Sequence, residues 1–135
     1  NVSLGEGATS VWTWANANYG MKASAYIDKV NIPCVSRLTS PAIDLSKLTE
    51  ATLSFDQAIN FATDMKSECK VQISTDGKTW EDLEVSGYPA ANGWTFVTST
   101  ASLNKYCGKK IYIGFLYTSS SSSAATWEVK NVSVN

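Results

Sequence analysis

Ala51–Asn60 reads A-T-L-S-F-D-Q-A-I-N. Leu53, Phe55 and Ile59 share one parity with Gln57, while Thr52, Ser54, Asp56 and Asn60 share the other. Successive strand side chains point to opposite faces, so this stretch predicts a β-strand with one buried and one polar face. Three more stretches read alike. C-K-V-Q-I-S (69–74) turns Val71 and Ile73 inward and Lys70 and Gln72 outward. K-I-Y-I-G-F-L-Y-T (110–118) puts Ile111, Ile113, Phe115 and Tyr117 on one face, with Tyr112 and Leu116 on the other, which predicts cover on both sides. T-W-E-V-K-N-V-S-V (126–134) carries Trp127, Val129, Val132 and Val134. Its step from Val129 to Val132 breaks the period of two and predicts a bulge near Lys130–Asn131.

Shorter strands are predicted at Lys22–Ile27, Val35–Leu38, Trp80–Val85 and Trp94–Thr100. Helix signals are weak. Asp44–Ala51 and Ser102–Lys110 each predict a single turn, and they echo one another as connections across two sheets. Ser119–Ser123 predicts a flexible surface loop, and Ser86–Trp94 a turn-rich one. Many short strands between turn signals predict a β-sandwich or barrel.

The chain has 135 residues, enough for one domain with a hydrophobic core. Net charge is -1, without a block of like charges. Nucleic-acid binding through phosphates needs a basic stripe, and none is present. No apolar run reaches the ~18 residues of a membrane-crossing helix, so no membrane insertion is expected. There is no histidine, which removes Ser-His-Asp and Cys-His catalysis within this chain. Cys34, Cys69 and Cys107 are far apart and odd in number; three buried thiols are expected. The chain starts at Asn1. It is expected to be a single domain over 1–135, excised from a longer secreted protein whose signal peptide has been removed.

Ser74–Trp80, S-T-D-G-K-T-W, looks like the Asp-box known from sialidase propellers. A propeller needs roughly 4–8 blades of about four strands. This chain is too short, and the box occurs once. The stretch is therefore expected to be a hairpin clasp. Asp76 accepts from the turn's own amides, Gly77 takes a positive φ, and Trp80 folds its ring into the apolar layer.

Six segments in order carry a family resemblance: Tyr19–Tyr26, Arg37–Ser46, Ala51–Ala58, Val71–Trp80, Tyr106–Ser119 and Ala125–Val134. Together they resemble the choice-of-anchor J domains of Bacteroidetes surface proteins, which are similar to the cleaved-adhesin domains of bacterial haemagglutinins. The resemblance spans about Trp12 to Val134. It implies an all-β, two-sheet jelly-roll β-sandwich of carbohydrate-binding-module type. It also implies export to the cell surface, a role in adhesion or glycan binding, and no catalysis. Some relatives bind structural calcium. Here Lys130 stands where relatives often carry an acid, and Ser102 where an Asp is common. A lysine cannot ligate calcium, which takes oxygen ligands. Glu6, Asp56 and Glu128 remain as acidic candidates for a structural calcium, and no other cofactor is implied.

Sugars are held by rings stacked on pyranose faces and by a few fixed polar groups. Trp12 and Trp14, two apart, share a strand face, and Asn16 beside them supplies donors and acceptors. Trp94, after the Asn92-Gly93 turn, is expected in the core, with a ligand contact as the alternative. Tyr88, beside Pro89, is expected to be exposed. Trp127 is expected in the core. Asp56 and Asn60 line the polar face of Ala51–Asn60. The candidate ligand residues are thus Trp14, Asn16, Asp56, Asn60, Tyr88 and Trp94. Nothing in the spacing makes Asp56 and Glu128 a glycosidase pair. The expected function is a non-catalytic, extracellular or cell-surface module binding a polysaccharide or other glycan. The alternative is an adhesin or spacer domain that binds a host or cell-surface protein and has no sugar site.

Overall fold

The alternating stretches pair into two antiparallel sheets. The computed structural model describes residues 2–4, 12–16, 20–27 and 29–135. In chain order the strands are β1 (Val2–Leu4), β2 (Trp12–Asn16), β3 (Gly20–Ser24), β4 (Tyr26–Ile27), β5 (Val30–Asn31), β6 (Cys34–Thr39), β7 (Ile43–Asp44), β8 (Thr52–Asn60), β9 (Cys69–Ser74), β10 (Glu81–Asp82), β11 (Val97–Ser102), β12 (Lys110–Ser119) and β13 (Thr126–Val134). A one-turn helix α1 (Met65–Glu68) joins β8 to β9, and a 3-10 turn spans Asn104–Tyr106. One sheet runs β1-β6-β12-β9-β10, with β7 on the start of β12. The other runs β11-β8-β13-β3-β2, and β4-β5 forms a small separate hairpin. The chain crosses between the two sheets at β7–β8, β8–β9, β10–β11, β11–β12 and β12–β13, while β2–β3 and β9–β10 pair within one sheet, which makes a jelly-roll β-sandwich.

The core is built from the parities read in the sequence. Leu53, Phe55 and Ile59 of β8 meet Val71, Ile73, Ile111, Ile113, Phe115 and Tyr117 of the facing sheet, all buried. Phe115 packs edge-on against Phe55 at 5.3 Å and Trp127 at 5.8 Å, and Trp127 tilts against Trp12 at 5.3 Å. Such ring pairs add about 0.5–1.5 kcal/mol beyond the area they bury. The expected bulge lies between Lys130 and Ser133, with Asn131 at φ +54. The two echoing connections bond to one another: Leu45 N–H donates to the Lys109 carbonyl, and Ala51 N–H donates to Asn104 Oδ1.

Gln57 shares the inward parity and is fully buried, so its carboxamide needs partners. Trp127 Nε1 donates to Gln57 Oε1 at 2.9 Å, and Gln57 Nε2 donates to Ser99 Oγ at 2.8 Å. Ser99 Oγ passes its own hydrogen to the Gly87 carbonyl. Tyr117 does similar work at one end. Its hydroxyl donates to the Ala125 carbonyl and accepts from Ala25 N–H.

Four expectations change. Trp80–Val85 contributes only the two residues of β10, because the preceding turn satisfies its amides with its own side chains. The Trp80 ring lies on the outer face, not in the apolar layer. It stacks on the Arg37 guanidinium at 4.5 Å above Gly114, where a Cβ would come within 2.9 Å of the ring. The serine loop is braced: Ser120 N–H donates to the Ser123 carbonyl, and Ser120 Oγ accepts from Ser122 and Ser123 N–H. Cys34 and Cys69 are buried, but Cys107 is only half-buried; all three are free thiols.

Replacing Gln57 by Leu keeps the volume and strands the Trp127 N–H in the core. A loss of about 1–3 kcal/mol is expected in urea unfolding. A loss under half a kcal/mol would mean that the buried bond contributes nothing net.

Candidate functional site

The S-T-D-G-K-T-W turn is internally satisfied. Ser74 Oγ accepts from Asp76 and Gly77 N–H and donates to Asp76 Oδ1. Asp76 Oδ1 also accepts from Lys78 and Thr79 N–H, both at 2.8 Å. These bonds, that from Thr79 foremost, hold the Asp76 carboxyl down at about 2. Gly77 stands at φ +75, as expected. The Ser74 hydroxyl and Asp76 Oδ1 are spent within the turn, which makes it the expected hairpin clasp between β9 and β10.

The acids on the polar face of β8 and β13 are separated in role. Glu128 pairs with Ala58 and Lys130 with Asp56, so Asp56 and Glu128 are diagonal neighbours on one face. Asp56 accepts from Thr98 Oγ1 and Asn131 Nδ2, both at 2.8 Å. Those bonds, Asn131 first, lower its pKa. Glu128 is 4% exposed, and its Oε1 has no partner. Burial raises its pKa, partly offset by Lys22 and Lys130. Among the described residues no group of three or more acidic, Cys or His side chains gathers for a metal. Glu6 lies outside the described residues.

The candidate ligand residues whose side chains are described do not converge. Trp14 is in β2 and its side chain lies outside the described residues; Asn16 is exposed on that same edge strand. The opposite edge carries β11, and residues 93–96 lead into it. Tyr88 is half-buried, contrary to expectation: its hydroxyl donates to the Cys69 carbonyl, and burial raises its pKa. Trp94, expected in the core, is 53% exposed. Gly93 N–H donates to the Ile59 carbonyl, which holds this segment along the β8 edge with the indole outside. Asn60 Oδ1 accepts from Phe61 N–H and so shapes the corner that ends β8.

Phe61 is the residue that the sequence reading missed. It sits at φ +62 and is 63% exposed. A bulky side chain at positive φ is a true outlier. Its ring meets Trp94 edge-on at 5.9 Å. Asn92 clamps the corner, accepting from Ala62 N–H and donating to the Ala62 carbonyl.

Phe61 also walls a groove of about 590 Å³. Tyr26, 57% exposed on the β4-β5 hairpin, also lines it. Ser24 and Thr126, paired across β3 and β13, form part of the lining. Thr63 and the serine loop line another side, and Thr63 Oγ1 donates to Ser123 Oγ. Two exposed rings therefore share a groove with hydroxyls, an arrangement suited to a ligand that is apolar on its faces and polar at its rim.

Strand order and the two stacked sheets place the fold among known structures. The chain folds like the K1 cleaved adhesin domain of Lys-gingipain from Porphyromonas gingivalis W83. The two share 16% identity over 100% of this chain and 89% of that one, with a TM-score of 0.57. Xylanase10C (mutant E385A) from Cellvibrio japonicus, solved in complex with xylopentaose, matches with a TM-score of 0.48 and 14% identity, over 99% of this chain and 26% of that one. No family model and no curated protein matches the chain. Among the described residues no helix is long and apolar enough to cross a membrane.

Two pH dependences follow from opposite shifts. The Asp76 pKa in the folded chain lies below its ordinary 3.8, so its stabilisation is complete above 3.8 and is lost as pH falls toward about 2. The Tm difference between wild type and Asp76→Ala should narrow over that interval. Glu128 is shifted upward from 4.5, so the unfolded chain releases this proton first and stability falls as pH climbs past 4.5. Glu128→Gln should therefore be more stable than wild type at neutral pH, with the gap shrinking in thermal melts below 4.5.

Proposed function

We propose that the chain is a non-catalytic glycan-binding module whose sugar site is the groove between Tyr26 and Phe61. The observation that carries this reading is the pair of exposed rings beside a hydroxyl-rich lining. A pyranose offers C–H faces to rings and hydroxyls to a few convergent polar groups. The backbone of Phe61 supports it. Strain of about 1–3 kcal/mol at a bulky residue persists where something over-determines it, and it concentrates at ligand sites. Asn60 and Asn92 supply that constraint here. The module works outside the cell or at its surface, in the manner of choice-of-anchor J domains.

A second reading is favoured by one observation, the fold likeness to a cleaved adhesin domain. In it the chain is an adhesin or spacer, and Tyr26, Phe61 and Trp94 contact a host or cell-surface protein.

Tryptophan fluorescence and affinity electrophoresis against plant and host polysaccharides, with calcium and with chelator, separate the two. Trp94 adjoins Phe61, so a saturable shift lost in Trp94→Ala is expected. Phe61→Gly is expected to abolish retention while being no less stable than wild type, and up to about 1 kcal/mol more stable, because glycine accepts positive φ. Flat titrations with every polysaccharide would sink the glycan reading in favour of the protein-binding one.

A further inference from the structure

Resting on that glycan reading, we infer that the groove selects uncharged glycans and turns acidic ones away. The inference comes from the direction of the hydrogen bonds along its Thr63–Ser123 side. Thr63 Oγ1 donates to Ser123 Oγ at 3.0 Å, and Ser123 Oγ donates to Glu68 Oε1 at 2.7 Å. Glu68 Oε2 accepts from Thr63 and Asp64 N–H, which fixes the carboxylate in place. A hydroxyl has one hydrogen and two lone pairs. Ionised Glu68 only accepts, so Ser123 must spend its hydrogen on it. Ser123 then receives the hydrogen of Thr63. Both hydroxyls line the groove with their donors committed, and they offer it only lone pairs.

Such a wall matches sugar O–H groups, which donate. It mismatches carboxylate and sulfate oxygens, which only accept. Charge acts in the same direction. Among the described residues the groove lining contains no Lys or Arg. Thr63, Ser122 and Ser123 also line the neighbouring hollow, which holds Asp64 and Glu68. An anionic sugar seated against Tyr26 and Phe61 would thus lie across the Thr63 and Ser123 hydroxyls from two carboxylates, with no cation among the described lining residues. Lys29, at the tip of the hairpin, is outside that lining.

The test compares probes that differ in charge. Xyloglucan, mannan, mixed-linkage glucan and fully methyl-esterified homogalacturonan form the neutral set. Polygalacturonate, alginate and hyaluronate form the acidic set. Affinity electrophoresis and calorimetry should show at least one neutral polymer bound about tenfold or more tightly than any acidic one. That affinity should hold between about 50 and 500 mM NaCl, because no ion pair is there to screen. Phe61→Ala should weaken it about tenfold or more. Glu68→Gln, with its fold checked by circular dichroism, should narrow the neutral-to-acidic gap, since the amide removes the charge and lets Ser123 turn its hydrogen outward. Tighter binding of an acidic polymer, weakened by salt, would overturn the inference and leave the glycan reading standing. An unchanged gap in folded Glu68→Gln would also overturn it. Binding of neither set would remove the glycan reading, and the inference with it.

Discussion

The buried indole of Trp127 sets a condition that reaches the surface. Its ring is fully buried against Phe115 and Trp12, so its N–H must be met inside the sandwich. Gln57 meets it, and Gln57 in turn requires Ser99. Ser99 hands the chain of bonds to the Gly87 carbonyl, which opens the loop carrying Asn92 and Trp94. Gly87 stands at φ +91 with Thr98 O only 2.8 Å from where a Cβ would be, so only glycine lets the loop come this close. The loop's far end is fixed by Gly93 to Ile59 and by Asn92 to Ala62. Core satisfaction and aromatic display are thus one connected structure. Unpaired buried polar groups cost about 1–3 kcal/mol each, which is why such a chain holds as a unit.

The sandwich itself was legible because one periodicity dominates. Alternation in Ala51–Asn60 and 110–118 named the inward residues of β8 and β12, and the broken period at Val129–Val132 named the bulge. Strand ends were less legible. Residues 75–80 have strand-like composition at Thr79 and Trp80, yet the Ser74 hydroxyl captures the Gly77 amide and the Asp76 carboxylate those of Lys78 and Thr79 before a ladder forms. The 3-10 turn at Asn104–Tyr106 was expected; α1 was not. Its cap is a side-chain arrangement, with Asp64 accepting from Lys66 N–H and Glu68 reaching back to Asp64 N–H, in a segment without helical periodicity.

The site was read less well, and the reasons are local. Tyr88 and Trp94 exchanged places relative to expectation. Both lie in a stretch without period, where burial depends on which distant partner is in reach. Tyr88 finds the Cys69 carbonyl, whereas Trp94 follows an amide already bonded to Ile59. Phe61 continues the inward parity of Leu53, Phe55, Gln57 and Ile59, and that parity would bury it. A positive φ reverses the direction, and Asn60 Oδ1 on the Phe61 amide is the local cause. An Asn immediately before an aromatic residue at a strand end was the available signal, since Asn side chains bond nearby backbone and stabilise turns.

The placement of charge separates the two ends of the second sheet's outer face. Toward the middle lie Glu128 without a partner for Oε1, Lys22 paired opposite it, and Lys130 over the Phe96 ring at 4.1 Å. Toward the end lie Ser24, Thr126 and Asn60, a row in register across three strands and free of charge. A buried acid with a raised pKa and a phenylalanine at positive φ thus stand on the same sheet. Neither is required by the sandwich, whose inward parities are complete without them. The strain at Phe61 differs from that at Glu128 in one respect. It leaves a ring in solvent beside a second ring, and it does so at the uncharged end of the face. Positive φ favours glycine at that position, and the phenylalanine there sets its ring against Trp94 at the mouth of the groove, the arrangement on which the proposed glycan site rests.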